Sequence, residues 1–286
     1  MTRPQFTLAY RLLHEEHKYD GSSLPRKAVH KLLYLLNAEA QEQGLEVDIP
    51  YFWFQYGVVT PAEADIGVDP LNAGGKASGD TGSEFEAELR PIVRRVLNRY
   101  YSTSLEEVTD ETYSDAPYDV QRTWRTLDKK LQTLHDNYPD FYEVEPSRNS
   151  IEESIFDVFD VFPTARFPEL ESDLTKWYSM ITRELNRPEM DAGGMMEVNV
   201  QFWRIFSLQL AEEHRHKMSK SEVKDVLDIE SFEGARESCR RTLRSIESDA
   251  LAAKFDDDGQ YDTPETRAAD ALVEGTVKEY YLTRSN

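Results

Sequence analysis

The sequence predicts a mainly α protein: a compact helical N-terminal module with a minor β element, followed by a helical C-terminal region. Three observations predict it. Apolar residues recur at helical spacing through most of the 286 residues. Gly, Pro and Asp-rich breaks separate those stretches. The aromatic-dense run from Ile49 to Val59 has the length of a short strand or an extended buried segment. A hydrophobic fraction of 39% with 11% aromatics is enough to build a folded core.

The elements follow in order. Phe6, Ala9, Tyr10, Leu12 and Leu13 make the apolar face of a first helix that Asp20-Gly21 ends. Ser22 or Ser23 can cap a second helix with Pro25 in its permissive first turn. Val29, Leu32, Leu33, Leu35 and Leu36 form its stripe, and Gly44 stops it. Residues 65–83 are rich in Gly, Asp and Ser and predict a flexible loop. Helix resumes through Phe85, Leu89, Ile92, Val93, Val96 and Leu97. Further helical patterns cover about 119–136, 150–160, 168–186, 196–217, 220–251 and 264–282, with Phe255 to Pro264 as a loop before the last. Pro146-Ser147-Arg148-Asn149 follows a turn-rich patch containing Tyr138-Pro139. It divides a module over 1–145 from a region over 146–286, two parts able to pack as one domain.

The formal charge is −21, and bases minus acids give −9 for residues 1–143 and −12 for 144–286. The charge therefore belongs to the whole surface and not to a tail. Bases divide into 21 Arg and 12 Lys. A uniformly acidic, lysine-poor surface suits a salt-rich cytosol, where screening over a few ångströms removes self-repulsion. This predicts a halophile, an archaeon by preference. Cys239 is the only cysteine, so an intrachain disulfide and a thiolate metal cluster are excluded. The first residues lack the apolar core of a signal peptide, and no apolar run approaches the ~20 residues that cross a bilayer. The expectation is a cytoplasmic, soluble protein with no membrane contact.

Candidate chemistry is sparse. His14-Glu15-Glu16-His17 spaces its histidines by three, where the zincin helix needs four, and no third ligand is identifiable. His214 and His216 fall on different sides of a helix and predict a solvated C-terminal turn. Gly74-Gly75-Lys76 lacks the first Gly and the Ser or Thr of a phosphate loop. Asp256-Asp257-Asp258-Gly259 lacks the register and closing Glu of a calcium loop. Neither a metal nor a cofactor is expected. Arg90 and Arg94 lie four apart on one helix, and Arg236 and Arg240 repeat the spacing. In so acidic a chain these rows are candidate phosphate contacts. The competing expectation, which is preferred, pairs them with nearby acids: Glu86 with Arg90, and Glu233 or Glu237 with the second row.

Lys31, Leu32, Leu33 and Tyr34 form a Lys-Leu-aliphatic-Tyr run, followed by Gly44 and then by Trp53, Tyr56 and Gly57. Over residues 24–60 this pattern resembles the N-terminal signature of the Panacea family of SocA-like, antitoxin-type domains. Val58 stands where the family usually has Pro. The resemblance implies a helical domain that binds a partner protein, often a toxin, and blocks it without catalysis. The contact surface it points to centres on Lys31, Tyr34, Trp53, Gln55 and Tyr56. If the segment is a strand with alternating faces, Gln55 and the ring of Trp53 are its exposed positions. The alternatives are a nucleic-acid-binding regulator, or a component of mobile-element defence with an enzymatic site built from dispersed residues.

Overall fold

The mainly α expectation holds in the computed structural model. Among the described residues it has ten α-helices and one small three-stranded antiparallel sheet. The described residues are 3–17, 24–61, 83–137, 147–187 and 190–256, with side chains described through Ser248. The predicted caps Ser22 and Ser23, most of the predicted loop at 65–83 and the predicted helix at 264–282 lie outside them.

The chain forms two compact units. The first joins Met1–Pro117 to Ser207–Phe232, and the second joins Tyr118–Phe206 to Glu233–Asn286. Most of the turn-rich patch expected to hold a boundary, residues 138–146, lies outside the described residues.

In the first unit, α1 (Pro4–Glu16) starts with proline at a helical position where its missing N–H leaves nothing unpaired. It buries the predicted face together with Leu8. Helix α2 (Arg26–Glu42) begins with Pro25 at the N-cap and buries Ala28, Val29, Leu32, Leu33, Leu36 and Ala40. Gly44, at φ 75°, ends it, with the Leu45 N–H folding back to the Ala40 carbonyl at 2.9 Å. Helix α3 (Ser83–Tyr101) packs on both through Leu89, Ile92, Val93, Val96 and Leu97. The short α4 (Leu105–Ser114) was not predicted, although its capping box is present in sequence. Ser104 Oγ accepts from the Glu107 N–H at 3.1 Å, and the Glu107 carboxylate accepts from the Ser104 N–H at 2.6 Å.

The run at 49–59 resolves into a hairpin. Strand β1 (Tyr51–Phe54) pairs with β2 (Gly57–Val59) in the register Phe52–Val59, Trp53–Val58 and Phe54–Gly57. Its other edge pairs with β3 (Arg215–His216), giving the order β2-β1-β3. Residues 215–216 were expected to be helical. The helix actually stops at Glu213, and His216 lies half-buried with its ring stacked on Tyr51 at 5.0 Å rather than in a solvated turn.

The second unit contains α5 (Asp119–Asn137), α6 (Arg148–Asp160), a single 3-10 turn (Pro168–Leu170) and α7 (Glu171–Leu185). Helix α8 (Ala192–Glu213) gives its residues through Phe206 to this unit. The core is aromatic: Trp124 stacks on Trp203 at 4.3 Å and Trp177 on Phe202 at 5.0 Å. Trp124 Nε1 donates to Asn199 Oδ1 at 3.2 Å, so the buried indole keeps a partner. The predicted helix at 220–251 is two helices, α9 (Lys220–Leu227), which belongs to the first unit, and α10 (Phe232–Asp256), which from Glu233 onward belongs to the second. Asp228 breaks it in the left-handed region, at φ 53°, which Asp tolerates better than most residues.

Candidate partner-binding site

Lys31 sits mid-way along α2 and is only 5% exposed. A buried ammonium needs acceptors, and Lys31 Nζ donates to the Tyr56 carbonyl at the tip of the hairpin. The neighbouring Gln55 carbonyl accepts from the Tyr113 hydroxyl at 3.2 Å, a donor supplied by α4. Two side chains from two helices thus hold the two carbonyls of the turn. Gly57 closes it at φ 98°, where a Cβ would stand 3.2 Å from the Tyr113 ring and closer still to the Lys31 amine. Glycine is required here by conformation and by space together.

Tyr34 extends the same arrangement. Its ring meets Tyr51 at 5.1 Å and Trp53 at 6.0 Å, both edge to face, and Trp53 meets Tyr113 at 6.2 Å in the same geometry. Its hydroxyl donates to Asp115 Oδ2 at 3.4 Å. Burial, and then the Asp115 charge, hold both Tyr34 and Tyr51 above the ordinary phenol pKa, so both remain protonated donors. At the end of β2, the Thr60 N–H donates to His30 Nδ1 at 3.2 Å, which leaves the neutral imidazole's proton on Nε2.

The five residues of the expected contact surface therefore separate. Trp53 is 4% exposed, which corrects its placement on a solvated face. Alternation along a strand predicts exposure only when one face of the sheet is open. Here Phe52, on the opposite face, is also fully buried, so neither face is open. Lys31 and Tyr34 are buried as well, and Gln55 is half-buried. Tyr56 remains 48% exposed, with Lys27 Nζ 5.5 Å from its ring centroid.

The arginine rows pair with carboxylates. Arg90 bridges Glu86 at 2.5 Å and also contacts Glu15 and Glu16, while Arg94 Nε reaches Glu16 at 2.6 Å. In the second unit Arg236 pairs with Glu233 and Arg240 with Asp173, both at 2.9 Å. Both rows follow the acid-pairing expectation, with Glu16 and Asp173 as partners that local spacing did not suggest. Among the described residues no three His, Cys, Asp or Glu side chains are grouped as a metal ion requires. The Cys239 thiol is buried, and burial pushes its pKa up, away from nucleophilic use. An open groove in the second unit is lined by Glu171, Ser172, Thr175 and Lys176, where Lys176 pairs with Glu247. Among the described residues no helix is long and apolar enough to cross a membrane.

Comparison of the chain with family models, with curated proteins and with solved structures finds no match.

Proposed function

We propose that this protein is a non-catalytic, Panacea-like antitoxin or regulatory adaptor that binds a partner protein through the tip of its β1–β2 hairpin. One observation carries the reading. The turn is held from beneath by Lys31 and Tyr113, and it presents Tyr56 as a large exposed aromatic on that fixed base. An aromatic on a pre-ordered base contributes contact area at low entropy cost, the property that makes tyrosine frequent among residues that dominate binding. In this reading Tyr56 and Gln55 touch the partner, whereas Lys31, Tyr34 and Trp53 hold the turn in shape. The paired arginines favour no nucleic-acid reading.

The test is co-expression with the product of the adjacent gene. Wild-type protein is expected to co-purify with that product and to relieve any toxicity. Tyr56→Ala is expected to lose at least about tenfold in affinity while keeping its fold. A harmless neighbour that never co-purifies sinks the proposal. The acidic surface belongs to the same proposal, as that of a cytoplasmic protein from a halophile. Unfolding free energy should then rise steeply between dilute buffer and molar KCl, and a flat salt response counts against that habitat.

A further inference from the structure

Beside the hairpin, the first unit carries a carboxylate that the turn does not use. Asp115 closes α4, and its carboxylate is exposed. Its oxygens accept from the Tyr34 hydroxyl at 3.4 Å and from the Ser114 hydroxyl at 3.3 Å. No Lys or Arg pairs with it among the described residues. Four cations of the first unit are engaged elsewhere. Lys31 holds the Tyr56 carbonyl, Lys27 lies over the Tyr56 ring, Arg99 pairs with Glu111, and Lys217 pairs with Asp48. His216, stacked on Tyr51, is held below its usual pKa by burial first and then by Lys217. It is therefore neutral at pH 7 and does not supply the missing positive charge. The result is a carboxylate beside two protonated phenols, with no cation paired to it among the described residues.

We infer that Asp115, flanked by Tyr34 and Tyr51, receives an arginine side chain of the partner protein. The inference rests on the partner-binding reading above and names the chemistry that the partner must bring. A planar guanidinium can give a carboxylate two parallel N–H bonds, and it sheds water to lie against an aromatic ring more readily than an ammonium does. Half-buried Tyr51, already stacked on His216, borders the carboxylate, and the phenol oxygens keep lone pairs for the remaining N–H groups. The 3.4 Å bond from Tyr34 is long, so reorienting that hydroxyl costs little. A chain of net charge −21 also draws a cationic partner toward it before contact.

The experiment uses the full chain, titrated with N-acetyl-arginine methylamide while the tyrosine and tryptophan ring resonances are followed by NMR. The lysine and citrulline analogues serve as comparators. The expected result is a saturable shift at Tyr34 and Tyr51, with a dissociation constant on the order of millimolar. The lysine probe should bind several-fold more weakly and the citrulline probe not at all. Asp115→Asn should weaken arginine binding by about tenfold or more, and Tyr51→Phe by about two- to threefold, with unchanged melting temperatures. Shifts that persist in Asp115→Asn, that never saturate, or that are as strong with lysine overturn the assignment. A partner captured equally well by Asp115→Asn and by wild type also overturns it, while leaving the binding reading intact. An arginine probe that binds at Asp115 when no partner is captured supports the site and removes only the wider reading.

Discussion

The ammonium of Lys31 lies 2.5 Å from the point where a Cβ on residue 57 would stand, so lysine and glycine share one space at the hairpin exit. Replacing Gly57 with Ala imposes two costs: a left-handed φ of 98° on a residue with a side chain, and displacement of the buried amine from the Tyr56 carbonyl. The expected loss is about 2–4 kcal/mol, from the backbone strain plus the broken hydrogen bond. Urea unfolding followed by circular dichroism measures it. Adding Lys31→Met should recover part of the loss, because the overlap is relieved while the strain remains. Simple additivity of the two variants would show that the residues do not compete for that space.

Trp53 and Tyr56 should behave oppositely despite lying three residues apart. Trp53→Ala removes a buried indole from contact with Tyr34 and Tyr113, and should cost about 3–5 kcal/mol. Tyr56→Ala should change stability by less than about 0.5–1 kcal/mol, since its ring is half in solvent. Thermal unfolding of the pair decides this. Equal losses would mean that Tyr56 belongs to the core.

Glu16 predicts how stability responds to acid. The hydrogen bond from Arg94, together with that from Arg90, holds its carboxyl below the ordinary value of 4.5 despite partial burial. The unfolded chain therefore binds a proton at higher pH than the folded one. The stabilisation is present above pH 4.5 and is lost as pH falls through the lower, folded value. Glu16→Gln should cost about 1–2 kcal/mol at pH 7 and much less at pH 3. A constant difference across that range would rule out this linkage.

Asp128 should act in the reverse sense. Desolvation raises its pKa from 3.8 to about 6, against a weaker pull from Arg125. The folded state here holds its proton more tightly, so the cost of ionising it is fully present above pH 6 and disappears as pH falls toward 3.8. That displacement corresponds to at most about 3 kcal/mol. Asp128→Asn is therefore expected to stabilise the protein at pH 7 and to do almost nothing at pH 3.5. Destabilisation at pH 7 would show an unrecognised role for the carboxylate.

Helices α1 to α3 were legible in sequence because each carries its own apolar face at helical spacing, and Gly44 supplies a stop that any chain must obey. Helix α4 was missed although Ser104 and Glu107 announce its start, because ten residues hold too few buried positions to make a periodic signal. The end of α8 and the strand Arg215–His216 were not legible at all. Strand pairing there is decided by Tyr51 and Phe52, more than 150 residues away in sequence. The same distinction runs through the candidate site. The motif residues Lys31, Tyr34, Trp53 and Gly57 were identifiable from their order, but not their roles. Whether an aromatic faces solvent depends on what covers the other side of its strand.

The sequence by itself determined a mainly α protein with an acidic surface and a concentrated signature between Pro25 and Thr60, since these follow from local periodicity and composition. Only the tertiary structure decided that this signature is a fastened turn. The amine of Lys31 and the hydroxyl of Tyr113 must converge on two carbonyls from different helices, and no local pattern encodes that meeting. It turned four conspicuous residues into scaffold and left Tyr56 exposed.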